Sequence, residues 1–328
     1  MMPAMMRMRW VLLFVMLTTA LAAGLAIGPV GLSLPEVLRA LVGRGDAQTV
    51  AIVRDLRLAR LCLAAIAGAG LGMSGAALQG TLRNALAEPY LLGVSGGAAV
   101  GAVLAVVAGL TAAVTMPMAA FAGAVVAVGL VLLIARASSG RADPRILLMA
   151  GVVVGAFANA AIMVLLAGAG DGAVRNALWW MMGSVAGAEW SAVRWLALYA
   201  ALAGAALVAV ARDIDLLALG EDAAASLGVR VAASTRRIFL LAALLAAITV
   251  AGAGLIGFVG LVVPAMARAL GWRRAREVLL ASAVLGAALL VGADVAARTV
   301  RAPAELPLGA VTALIGVPFF LIRLRRAA

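Results

Sequence analysis

The chain has 328 residues, 66% of them hydrophobic and 12% charged, and a net charge of +12. A soluble globule is roughly 45–50% apolar, so the composition excludes one and requires a polypeptide that crosses a membrane many times. All 26 basic residues are arginine, which removes the lysine that a P-loop uses on nucleotide phosphates; an ATP-driven activity would need its engine on another polypeptide.

Histidine is absent and Cys62 is the only cysteine, so no His or Cys cluster is available for a metal. Cys62 lies in an apolar run and reads as a small core residue. The positive charge could suggest nucleic acid, but the arginines sit in short loops between apolar runs, the pattern of orientation by the positive-inside rule.

In chain order the charge-free runs are Trp10 to Pro35, Leu61 to Leu82, Pro89 to Ala135, Ile146 to Gly170, Trp195 to Ala211, Ile238 to Ala267, Val278 to Ala293 and Leu306 to Ile322. A bilayer core of ~30 Å takes about 20 apolar residues as a helix. Pro89 to Ala135 is long enough for two crossings, broken near Gly109 to Pro117. Ile238 to Ala267 holds one full helix and one short one, interrupted by GAGLIGFVG and stopped by Pro264. The expectation is about ten crossings in one transmembrane domain over the whole chain. An even number puts both termini on one face. With the N-terminus inside, the inner loops hold Arg7, Arg9, Arg83, Arg136, Arg141, Arg145, the arginines from Arg212 to Arg237 and from Arg268 to Arg276, and the tail from Arg323 to Arg326. Met1 to Gly24 also has the outline of a signal peptide, with Arg7 and Arg9 ahead of an apolar run and Ala-Leu-Ala at 20 to 22. Because the apolar run continues past those small residues, the segment is expected to stay as the first span.

Arg57 to Gly97 organises the rest: a charge-free span, a polar turn at Arg83 to Pro89 and a second span. Gly68, Gly70, Gly72, Gly75 and Gly80 would be costly in a soluble helix but let helices approach closely in lipid. Asn176 to Trp190 suits a short interfacial helix after a charged outer loop with Asp171 and Arg175. Asp213 to Arg237 is amphipathic, with breaks at Gly220 and Gly228, and reads as two short surface helices on the inner face. AGAGL at Ala67 to Leu71 recurs at Ala251 to Leu255, an echo of the kind left by transporter repeats.

No grouping looks catalytic. Asp294 is the acid deepest in an apolar stretch, and Arg298 follows on the same helix side, so a helix-end ion pair is expected rather than a proton path. Arg54, Arg57 and Arg60 are spaced by three, which places them along one side of a helix, with Arg298 and Arg301 on the same face of the membrane. Such a cluster could receive acidic residues of a docking protein or anchor in headgroups.

SGAALQG (Ser74 to Gly80), RNALAEPYLLGVSGG (Arg83 to Gly97), LGEDAAASLGV (Leu219 to Val229), GFVGLVVP (Gly257 to Pro264), ADVAAR (Ala293 to Arg298) and AELPLGAVTALIGVPFF (Ala304 to Phe320) resemble the FecCD type of ABC importer permease. The resemblance runs from about Arg57 to Arg323, with the motifs in the family's order. It implies an all-α, polytopic fold of about ten transmembrane helices, the type II ABC importer permease fold, in the bacterial inner membrane with both termini cytoplasmic. The implied partners are a second permease subunit, in a homodimer or in a heterodimer with a close relative, two cytoplasmic ATPase subunits that hold the ATP and magnesium, and a substrate-binding protein. The chain itself would bind no cofactor, metal or nucleic acid and would not be an enzyme. The implied cargo is an iron-siderophore chelate, with cobalamin or haem as alternatives.

Carried over by matching positions, the resemblance implies a cytoplasmic gate at Asn84 and Leu86. It implies ATPase coupling at Leu219, Gly220, Glu221, Ala223, Leu227 and Gly228, and binding-protein docking at Arg57, Arg60 and Arg298. The chain departs from the usual pattern at Ala85, at Ala265 and at Gly271 to Arg274. Outside the resemblance, the residues leave open an ion-driven secondary transporter using Asp294 and a purely structural membrane scaffold.

Overall fold

The computed structural model describes residues 2–28, 30–110, 112, 114–139 and 144–327; Arg141 of the expected inner loop lies outside them. Among these residues every regular element is helical: α1 (Met2–Ala26), α2 (Leu34–Leu41), α3 (Ala47–Ala51), a π-helical stretch (Ile52–Leu58), α4 (Ala59–Thr81), a 3-10 turn (Pro89–Leu92), α5 (Val94–Val107), α6 (Thr115–Ser139), α7 (Pro144–Ala167) and α8 (Asp171–Met181). They are followed by α9 (Trp190–Ala209), α10 (Ala211–Leu217), α11 (Glu221–Ser226), α12 (Val231–Ala253), α13 (Val259–Ala269), α14 (Ala275–Thr299) and α15 (Leu308–Ala327). By length and composition, 7 helical segments can cross a bilayer, and α5, α13 and α15 are shorter apolar helices. These match the expected crossings.

The helix that runs through α4 is the axis of the bundle: 78% of its most apolar window is buried, against 11% for α1. Its glycines explain how. A Cβ on Gly68 would meet the carbonyl oxygen of Gly286, one on Gly72 that of Ser282, and one on Gly75 that of Gly260. With no side chain between them, α4 lies backbone to backbone against α14 and α13, the close approach that replaces the hydrophobic drive helices lack in lipid. The AGAGL echo does not carry the same structure twice. Gly70 is inside α4, whereas Gly254 has φ +71° and ends α12.

Two local expectations are corrected. Pro264 does not stop a helix but sits inside α13. Proline leaves the carbonyl four residues back without its N–H partner, and here that carbonyl, of Gly260, accepts instead from the Gln79 side-chain amide at 3.3 Å, as does that of Leu261 at 3.2 Å. The interfacial helix begins at Asp171 rather than Asn176, taking in the charges assigned to a loop, and Trp190 instead starts α9. The single crossing expected within Trp10 to Pro35 is carried by α1, which ends at Ala26, and α2 begins at Leu34. Ser33 starts α2 by donating from its hydroxyl and its N–H to Glu36, each at 2.7 Å. Those two bonds, the hydroxyl's first, hold the Glu36 carboxyl below its ordinary range.

Candidate functional site

The arginine-rich face carries the expected pair of surface helices. α10 and α11 are separated by Gly220, at φ +116°, and α11 is followed by Gly228, at φ +84°; both values lie where a side chain would be strained. Leu219 and Leu227 are 65% and 55% exposed, and Glu221 is exposed, while Ala223 is half-buried behind them. Two aspartates missed in the sequence anchor this projection. Asp213 accepts from the Ser234 hydroxyl at 2.6 Å, tying the helices to the start of α12. Asp215 accepts from the Ala275 N–H at 2.7 Å, tying them to the start of α14. Any push on α10 and α11 therefore reaches two long spans directly. An aspartate sixty residues from the helix it caps leaves no local signal in a sequence.

The turn after α4 lies on the same face. Asn84 closes it, its side-chain oxygen accepting from the Leu86 N–H at 2.9 Å. Arg83 takes the left-handed φ of +49° that starts the reversal, and Leu86 is left 50% exposed at the tip. With alanine at position 85, where the resemblance implies a proline, the asparagine bond still closes the turn. Beyond the tip the Glu88 carboxylate accepts from the Phe258 N–H at 2.8 Å, and the Tyr90 hydroxyl is 2.5 Å from the Ile256 N–H. Both bonds satisfy backbone freed by the interruption between α12 and α13, which lipid could not satisfy. The turn bearing Asn84 and Leu86 is thus fastened to that interruption. Neither Glu88 nor Tyr90 was singled out from the sequence, since their partners are 170 and 166 residues away.

At the opposite face the three arginines expected to dock a partner are placed differently from one another and from that expectation. Ile52–Leu58 is π-helical, so a spacing of three no longer aligns side chains, and Arg54 is exposed while Arg57 is 5% exposed. Arg57 donates to the carbonyls of Leu25 (2.6 Å), Ala26 (3.1 Å) and Val30, gripping the chain where α1 ends. Arg60 forms ion pairs with Asp294 at 2.8 Å and with Glu305 at 2.7 Å. Arg298 is 3% exposed, lies 3.5 Å from the other oxygen of Asp294 and donates to the Gly24 carbonyl at 2.5 Å. The expected Asp294–Arg298 pair is present, but Arg60 is the nearer partner. Together these charges pin α1, α4, α14 and the segment leading into α15 to one another. Arg57 and Arg298 are spent inside the chain and do not form an exposed cluster with Arg60.

The unusual Gly271-Trp272 stretch has a packing role. Trp272 is fully buried with its ring 5.3 Å from that of Trp10, so it holds α1 against the turn between α13 and α14. No group of three or more metal-ligating side chains occurs among the described residues.

The sequence matches the FecCD transport family over residues 13–326. The chain is 39% identical over 309 residues to the cobalamin import system permease protein of Halobacterium salinarum, an alignment covering 94% of this chain and 78% of that one. It is also 39% identical over 277 residues to an iron(3+)-hydroxamate import system permease protein of Bacillus subtilis, covering 84% of this chain and 71% of that one. Among solved structures, an inward-facing ABC transporter assigned to the metal-chelate type superposes with a TM-score of 0.87 at 28% identity, covering 96% of this chain and 97% of that one.

Proposed function

Since this chain belongs to the FecCD transport family, whose relatives are ABC importer permeases, we propose that it is the membrane conduit of an importer for an iron-siderophore chelate. Two copies of the chain line the path, two ATPase subunits bind the arginine-rich face in the cytoplasm, and a substrate-binding protein delivers cargo from the other side. ATP and magnesium belong to the ATPase subunits, and the chain itself is not catalytic. Cobalamin is the second reading, because the cobalamin permease is as similar to this chain as the hydroxamate permease.

The observation that carries the reading is the anchored projection of α10 and α11. Closure of the ATPase subunits pushes on Leu219, Glu221 and Leu227, and the bonds of Asp213 and Asp215 pass the movement to α12 and α14. Rigid-body motion of packed helices is the form such switching takes. Leu86 of each copy, at an exposed turn, closes the cytoplasmic end of the path, while Asn84 holds the turn's shape. On the outer face Arg57, Arg60 and Arg298 act from below, fixing the helix ends on which the binding protein sits.

Glu221→Arg reverses a charge on the projection, and Gly228→Leu forces a side chain into a left-handed backbone position. Each is expected to reduce ATPase association and ATP-dependent uptake by about tenfold or more, the equivalent of losing one interfacial contact of about 1.4 kcal/mol. Co-purification and vesicle uptake are the measurements. Unchanged values for both variants would remove α10 and α11 from the coupling path.

A further inference from the structure

Three arginines on the arginine-rich face are left over by the account above. Arg212, at the start of α10, and Arg230 and Arg237, at the beginning of α12, line one open recess of about 230 Å³. All three are exposed. None of the three forms an ion pair with another described residue. Asp213, the carboxylate in the same recess, is already bonded to the Ser234 hydroxyl. The recess thus concentrates three cations around a space with one engaged anion.

Its position decides what fills it. The inner end of α9 leads into Arg212, and the exposed residues Leu198, Leu202, Ala205 and Ala209 run along that helix toward it at helical spacing. On α12, which packs against α9, Arg237 begins a stripe continued by Leu240 and Leu244, 40% and 39% exposed. Both stripes are apolar along the membrane and end in arginine at its surface. An arginine so placed extends its head to the phosphate level while its stem stays on apolar surface.

We propose that the recess binds the phosphate of an anionic phospholipid from the cytoplasmic leaflet, with the acyl chains lying along the exposed leucines of α9 and α12. Charge complementarity and the two apolar stripes favour lipid over an acidic side chain of an ATPase subunit, which would need no apolar track. The lipid would brace the base of α10 and α12 where Asp213 already joins them. The recess is also lined by Leu216, Leu227 and Gly228, so the lipid would lie beside the surface proposed for ATPase coupling, and binding is measured without that subunit so that the two readings fail separately.

The test is native mass spectrometry of the purified full-length permease, without any ATPase subunit, exchanged into micelles containing phosphatidylglycerol or phosphatidylcholine. The wild-type chain is expected to retain phosphatidylglycerol selectively. Arg212→Gln, Arg230→Gln and Arg237→Gln combined should reduce that selectivity by about a hundredfold, as expected from losing three cationic contacts at an anionic surface. Changing the same three residues to lysine should restore it, and Arg273→Gln with Arg274→Gln, on the same face, should leave it unchanged. Equal retention of the two lipids by the wild type, or unaltered selectivity in the glutamine variant, would overturn the proposal. In a separate co-purification with the ATPase subunit, loss of that association by the glutamine variant with its lipid selectivity unaltered would also overturn it and give the recess to an acidic residue of that subunit. If the glutamine variant does not elute as a folded species, the lysine variant decides: loss of selectivity there, with charge retained, would also overturn it.

Discussion

Asp294→Ala is expected to lower the stability of the purified chain by about 3 kcal/mol or more, the cost of removing one member from a buried ion pair. Asp294 is 1% exposed and holds two guanidiniums, those of Arg60 at 2.8 Å and of Arg298 at 3.5 Å. Its removal leaves Arg60 with Glu305 alone and Arg298 with only the Gly24 carbonyl. Asp294→Asn keeps the shape and an acceptor and should lose less. Thermal unfolding in detergent gives the order wild type, asparagine, alanine. The same variants address the rival in which Asp294 carries protons. A structural clamp predicts that transport by the asparagine variant falls only as its folded fraction falls. A coupling carboxylate would give undiminished stability and abolished transport.

The second large effect is expected at the helix crossings. Gly68→Ala sets a methyl group against the carbonyl oxygen of Gly286, and Gly286→Ala sets one against that of Gly68. Neither obstacle is a side chain that can rotate away, so α4 and α14 would have to separate. Overpacking costs about 1–3 kcal/mol where side chains can shift, and a backbone obstacle puts these changes at or above the top of that range. Gly75→Ala, against the Gly260 carbonyl, belongs with them. Gly155→Ala and Gly292→Ala meet open space and should leave folded yield and melting temperature unchanged. The double variant of Gly68 and Gly286 should cost less than the sum of the single ones, since both spoil one contact.

Periodicity and composition were enough for what lipid imposes on the chain. The expected crossings, the breaks at Gly220 and Gly228 and the interruption after α12 were legible because each follows from local charge, glycine placement or length. The membership of α4 in a backbone-to-backbone packing was half legible: the glycines were visible, their partners were not. The outer arginines were misplaced for two physical reasons. A π-helical stretch changes which residues share a side, and nothing in the sequence announces it. Asp294, 234 residues from Arg60, is brought beside it only by the pairing of α4 with α14. Pro264 looked like a terminator because the Gln79 amide that replaces its missing donor comes from another helix. For Asp294 and Pro264 a long-range partner overrode a correct local rule.

The central claim is that this chain is a passive conduit driven by a separate ATPase. Its most direct test is uptake into proteoliposomes of three labelled cargoes in parallel: a ferric hydroxamate, cobalamin and haem. The permease would be supplied with or without its ATPase subunits, binding protein and ATP. The account predicts that one cargo accumulates only when all of these are present, whatever the ion gradient. Accumulation of any of them by the permease alone, driven by a proton or sodium gradient, would contradict it.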